Sequence, residues 1–147
     1  KEIEFVEEQT EEIIEDTTCK LNNEIACRIY NRGLEKGLTK NQSILVAAIS
    51  AHETGYWTSK NFLEKNNLGG LWNGRQGTFY SYESFEVGLD VMIDLLKNDY
   101  FNNGLTTIRT IGEVYCPEGA ANDPYNQNQH WIPKVTLIYN QYLGLQK

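Results

Sequence analysis

Apolar side chains recur at helical spacing through most of the chain, broken by segments rich in turn formers. The spacing predicts a mainly helical protein. Ile25, Ile29 and Tyr30 share one side of a helix that Asn22 or Asn23 can cap and that runs to about residue 35, with Gly33 and Gly37 marking its end. Thr39-Lys40-Asn41-Gln42 fits a capping box. The run that follows, Ile44-Leu45-Val46-Ala47-Ala48-Ile49-Ser50-Ala51, is apolar nearly all the way round, as a helix in the middle of a core must be. His52-Glu53-Thr54-Gly55 ends it, with Gly55 placed to stop the helix. Residues 56–82 change to aromatic, Asn and Gly residues, and Asn73-Gly74 predicts a short two-stranded hairpin across about 70–82. Helical spacing returns at Ser84, with Phe85, Leu89, Met92, Ile93 and Leu96 in one stripe to about residue 99. Ile108, Ile111 and Tyr115 form a short helix, residues 116–129 a loop, and Pro133 the first turn of a last helix to Gly144.

The 147 residues suffice for one domain that buries its own core without metal or disulfide staples. The net charge of −7 is not spread over it. Residues 1–16 hold one lysine against eight acids, and residues 17–147 hold 12 basic and 12 acidic groups. The expected organisation is an acidic helical arm or linker stub at 1–18 and a single folded domain at 19–147. A neutral body without a Lys/Arg stripe argues against nucleic acid as a partner. The longest apolar run, residues 44–49, is far too short to insert in a membrane. Lys1-Glu2-Ile3-Glu4 does not open a signal peptide, so any export address lies outside these residues. Cys19, Cys27 and Cys116 include no CxxC pair, so neither a metal nor a cofactor is expected. One disulfide in any of three pairings, or three thiols, remain open.

Glu53 breaks local rules. An acid in the last turn of a helix meets the negative end of the macrodipole, and Ile49 and Val46, one and two turns back, desolvate it. Both effects raise its pKa. A carboxylic acid still protonated near neutral pH suits general-acid cleavage of a glycosidic bond, where the leaving oxygen must receive a proton. The competing reading is a frayed surface glutamate. His52-Glu53 does not begin a zinc-protease HExxH, because position 56 is Tyr56. His52 reads as a packing neighbour, and a Cys-His pair lacks any local pattern.

Ala47-Ala48-Ile49-Ser50-Ala51-His52-Glu53-Thr54-Gly55, then Thr58-Ser59 and Asn66-Asn67-Leu68-Gly69-Gly70-Leu71, resemble the glucosaminidase family of bacterial and phage cell-wall hydrolases. That family's helix ends in Glu-Ser/Thr-Gly before an Asn-Asn-x-x-Gly-Ile stretch. Tyr82-Glu83-Ser84-Phe85-Glu86 resembles the lead into its next core helix, and Tyr115 followed by Asn122-Asp123-Pro124 resembles its Tyr-to-Asp-Pro loop. The fragments keep the family's order over about residues 40–142. The resemblance implies an α+β, mainly helical, lysozyme-like fold with a small β-hairpin lobe beside the active-site cleft, and hydrolysis of peptidoglycan at the N-acetylglucosaminyl bond. It also implies Glu53 as general acid, and Tyr115 near the cleaved bond steadying the N-acetyl group or the attacking species.

Aromatic faces stack on sugar rings while amides pair with hydroxyls. Tyr56, Trp57, Asn67, Trp72, Asn73 and Tyr80, with Asp123, are therefore the expected substrate-binding set, and Trp131 is read as core. The hairpin segment 70–82 contains no Asp or Glu, unlike family members thought to use a second acid there. The routes left are assistance by the substrate's own acetamido group, which is favoured, or water positioned by Tyr115, Glu83, Glu86, Glu118 or Asp123. A muramidase or lytic transglycosylase on the same fold and a non-catalytic wall-binding module are the alternatives. The expected partner is the glycan strand of peptidoglycan. The expected setting is the secreted, cell-wall or virion-associated module of a larger autolysin, phage or conjugation protein.

Overall fold

The computed structural model describes residues 18–147, so the acidic arm expected at 1–18 lies, apart from Thr18, outside the described residues. The described chain is mainly helical with one small antiparallel hairpin. In order it runs α1 (Glu24–Glu35), α2 (Lys40–Glu53), α3 (Lys60–Lys65), β1 (Trp72–Asn73), β2 (Thr78–Phe79), α4 (Phe85–Leu95), α5 (Ile108–Tyr115) and α6 (Trp131–Gln146). Among the described residues no helix is long and apolar enough to cross a membrane.

The expectations for α1 and α2 hold closely. Asn23 caps α1 by accepting from the Ala26 amide, and Gly37, at φ +90°, takes the chain out of it. The capping box of α2 is complete, Thr39 on Gln42 and Gln42 back on Thr39. Every residue of α2 from Ser43 to Ala51 is buried, and α1 and α6 pack on it. One core joins it to Ile29 and Tyr30 of α1, Met92 and Ile93 of α4, Ile111 of α5 and Val135 of α6. Small residues set the closest approaches. A Cβ on Gly33 would stand 2.5 Å from Ser43 Oγ, and one on Gly88 only 1.9 Å from the Asn66 carbonyl oxygen, so α1 meets α2 and α4 meets the 66–71 loop backbone to side chain or backbone to backbone.

Four elements differ from expectation. α3 was not anticipated: Ser59 caps it, and Asn66, at φ +53°, stops it within two turns. The hairpin is shorter than 70–82, pairing only Trp72 with Phe79 and Asn73 with Thr78. Its turn is not a two-residue Asn-Gly turn. Asn73 Oδ1 accepts from the amides of Arg75 and Gln76, opening a four-residue loop in which Gly77, at φ +65°, supplies the left-handed position. α4 does not continue as α-helix to residue 99 but widens into a π turn, Leu96–Tyr100, that buries both end residues. α6 begins at Trp131, two residues before Pro133, and continues to Gln146.

Of the open cysteine pairings, the fold adopts Cys19–Cys27, leaving Cys116 free. This bridge ties the segment before α1 to its first turn. The Gln146 side chain clasps the same segment from α6, its carbonyl accepting from the Lys20 amide (2.8 Å) and its amide donating to the Thr18 carbonyl (2.7 Å).

Candidate active site

The end of α2 is held from three sides. The Thr54 hydroxyl donates to the Ser50 carbonyl (2.7 Å) and accepts from the Trp57 amide (2.8 Å), so the chain reverses tightly after Glu53. Gly55, Tyr56 and Trp57 all take positive φ (57°, 56° and 64°). Two non-glycine residues in that region cost about 1–2 kcal/mol each. Burial of the Trp57 ring and its indole hydrogen bond to Ser50 Oγ (3.0 Å) offset that cost.

The second side is the 66–71 loop. Ser50 Oγ donates to the Leu68 carbonyl (2.8 Å), and the buried Asn67 amide bonds Leu71 through both its carbonyl and its NH2, and Tyr80 through the NH2. This pinning lays the Gly69-Gly70 backbone on the site. Gly70 has φ +62°, and a Cβ there would stand 2.6 Å from Glu53 Oε1; one on Gly69 would stand 2.5 Å from the Tyr115 hydroxyl, which donates to the Gly69 carbonyl. A side chain at position 70 would be strained and would push Glu53 aside, and one at position 69 would displace the Tyr115 hydroxyl. The third side is α6, from which the Trp131 indole N–H donates to Glu53 Oε2 at 2.9 Å.

Burial pushes the Glu53 carboxyl up from the usual range to about 7, and the Trp131 hydrogen bond to the ionised form pulls the other way. Burial, and next the Glu53 charge, raise Tyr115 well above the ordinary phenol value, so it stays a neutral donor. The Cys116 thiol is pushed up to about 12 by burial and then by Glu53 and Asp123, which excludes it as a thiolate nucleophile. Burial, then Lys134 and His130, lower His52, which is therefore neutral at pH 7.

Glu53 borders a cleft of about 370 Å³ whose walls include Trp72, Phe79, Tyr100, Tyr115 and Asp123. Trp72 is 39% exposed and braced edge-on by Phe79, with ring centroids 5.0 Å apart. Asp123 accepts from the Gln127 and Asn128 amides (2.8 Å each), one on each oxygen, and so holds the turn that leads into α6.

Of the sequence-derived set, the fold brings Glu53, Tyr115, Trp72 and Asp123 together at this cleft. The others lie elsewhere. Trp57 and Asn67 are buried and spend their polar atoms inside the fold. Tyr56 is half exposed but lines a separate groove with Asn22, Asn23 and Tyr142. Asn73 caps the hairpin turn, and Tyr80 stacks on Tyr82 outside the cleft wall. Of the acids named as water-positioning candidates, Glu86 pairs with Arg28 on the surface (2.9 Å), and neither Glu83 nor Glu118 borders the cleft. Trp131 is core, as expected, yet it also contacts the acid. The available signal was its indole N–H, a donor that a buried position obliges to find a partner. Tyr100 and Asn128 were missed because the π turn and the 127–130 turn that place them leave no periodic trace.

Among the described residues, no three or more His, Cys, Asp or Glu side chains converge as a metal site requires. Compared with protein-family models and with curated proteins, the chain matches none.

Proposed function

We propose that this protein is a glycoside hydrolase of lysozyme-like fold that cleaves the glycan strand of peptidoglycan at the N-acetylglucosaminyl bond, with Glu53 as general acid. The carrying observation is a single carboxyl at the end of the central helix, half-buried at the edge of an aromatic cleft, bonded by the Trp131 indole and held protonated to about pH 7. The hairpin beside that cleft, the exposed Trp72 ring and the neighbouring amides suit a sugar chain. The Cys19–Cys27 bridge suits an oxidising, extracytoplasmic setting.

In the first step Glu53 gives its proton to the glycosidic oxygen as the C1–O bond breaks. The oxygen of the substrate's own 2-acetamido group bonds to C1, forming an oxazolinium ion. In the second step Glu53, now a carboxylate, takes a proton from water as the water oxygen bonds to C1 and the ring opens to the acetamide. This route needs no second carboxylate. Asp123, the other acid on the cleft wall among the described residues, already has a backbone amide on each oxygen.

The test is mass spectrometry of soluble products from peptidoglycan whose pre-existing ends have been reduced, treated with wild type and with Glu53→Gln. New N-acetylglucosamine reducing ends from wild type alone would support the proposal. Muramic acid or anhydromuramic ends would replace it with a muramidase or lytic transglycosylase. Binding without products from either protein would leave a non-catalytic wall-binding module.

A further inference from the structure

Glu53 borders two cavities. Besides the aromatic cleft there is a groove of about 480 Å³ lined by His52, Gln127, His130 and Lys134, and the two share Glu53, Cys116 and Asn128 as a common boundary. A strand whose scissile oxygen meets Glu53 can thus lay one sugar against the rings and its neighbour in the second groove.

The two walls differ in charge. The first offers ring faces, with its one further acid, Asp123, committed to backbone amides. The second carries the exposed Lys134 ammonium beside two imidazoles. Among the described residues, Lys134 is in none of the ion pairs, and its charge is felt at His52, whose protonated form it disfavours. Glu53 supplies little counter-charge below pH 7. A positive charge with no carboxylate partner among the described residues, in a groove that Glu53 also borders, favours an anionic substituent on the bound ligand.

We infer that this groove is the subsite for the carboxylate-bearing sugar of the strand, and that Lys134 is the residue that reads the carboxylate. The inference rests on the proposed glycan substrate. Sugars alternate along that strand, and only every second one carries a lactyl ether. Its carboxylate is free in strands stripped of peptide; where a stem peptide is attached, the carboxylates belong to the peptide. Seating that sugar beside Lys134 places the unsubstituted N-acetylglucosamine against Trp72 and Tyr115, so Lys134 sets the register and hence which of the two alternating bonds meets Glu53.

Binding is measured by tryptophan fluorescence in the Glu53→Gln background, using Trp72 and Trp131 beside the cleft as reporters. The ligands are peptide-bearing strands, stripped strands, stripped strands with amidated lactyl groups, and chitooligosaccharides. Lys134→Gln is expected to weaken binding of a carboxylate-bearing ligand about tenfold. Lys134→Glu should weaken it further, Lys134→Arg should restore it, and amidated strands and chitooligosaccharides should bind each variant alike. Loss confined to stripped strands identifies the lactyl carboxylate as the group read, and loss confined to peptide-bearing strands identifies the stem peptide. Equal loss on amidated strands, or no loss on any charged strand, overturns the inference. Failure of the hydrolase reading appears separately, as absence of new reducing ends from protein with Glu53 and Lys134 intact.

Discussion

Glu53 is destabilising in its ionised form. Because the fold raises its pKa from 4.5 to about 7, the folded state holds the proton more tightly than the unfolded chain does. Its contribution to stability is thus fully present below pH 4.5 and lost as pH rises to 7, a change on the order of 2–3 kcal/mol. Glu53→Gln should therefore melt higher than wild type at pH 8 and close to it at pH 4, by calorimetry at both pH values. An equal difference at both would show that ionisation is not the cause. The same group predicts a pH–rate profile on soluble glycan strands that falls above about pH 7. Trp131→Phe removes the donor that favours the ionised form, so its alkaline limb should move to higher pH. A shift downward would mean that water admitted beside the smaller ring outweighs the lost hydrogen bond. The raised pKa of Glu53 was legible in the sequence because apolar residues one and two turns back predict the desolvation that raises it. Asn67 and Trp57 were misplaced because an amide and an indole that bind sugar and those that bolt a loop are chemically identical. Only the fold shows that Leu71, Tyr80 and Ser50 already occupy them.

The elements around the site depend on backbone contact. α4 runs against the Asn66 carbonyl at Gly88, and α5 runs against Trp131 at Gly112, where a Cβ would stand 2.9 Å from the indole. Gly88→Ala, a change that favours an isolated helix by about 1 kcal/mol, should here lower Tm sharply, because it forces α4 off the loop that carries Gly69 and Gly70. Circular dichroism melts against an exposed control such as Gly144→Ala, which meets nothing, separate the two effects. α1, α2, the start of α4 and α5 were readable from capping residues and apolar spacing, which act within a few residues. α3 was not, because six residues with no buried side chain leave no stripe to find. The π turn was equally hidden. Leu96, Tyr100 and Phe101 are all buried there, and the local widening that lets them be is set by what α4 packs on.

Taken whole, the described chain is one helical core whose first residues are fastened twice, by Cys19–Cys27 and by Gln146. Closing a loop of this length, at a sequence separation of 8, stabilises by about 2–3 kcal/mol in the chain-entropy account. Replacing both Cys19 and Cys27 by Ser should lower Tm by roughly 5–10 °C, with Cys116 left in place. An unchanged melt would mean that residues 18–23 open before the core does. The same fastening divides any mechanical load unequally. Tension arriving at residue 18 crosses the sulfur bridge into α1 and never straightens residues 20–26. Tension at residue 146 runs as along a rod through the whole of α6 to Trp131, whose indole rests on Glu53. Pulled from that end, the helix is a lever with its short arm on the Glu53 carboxyl.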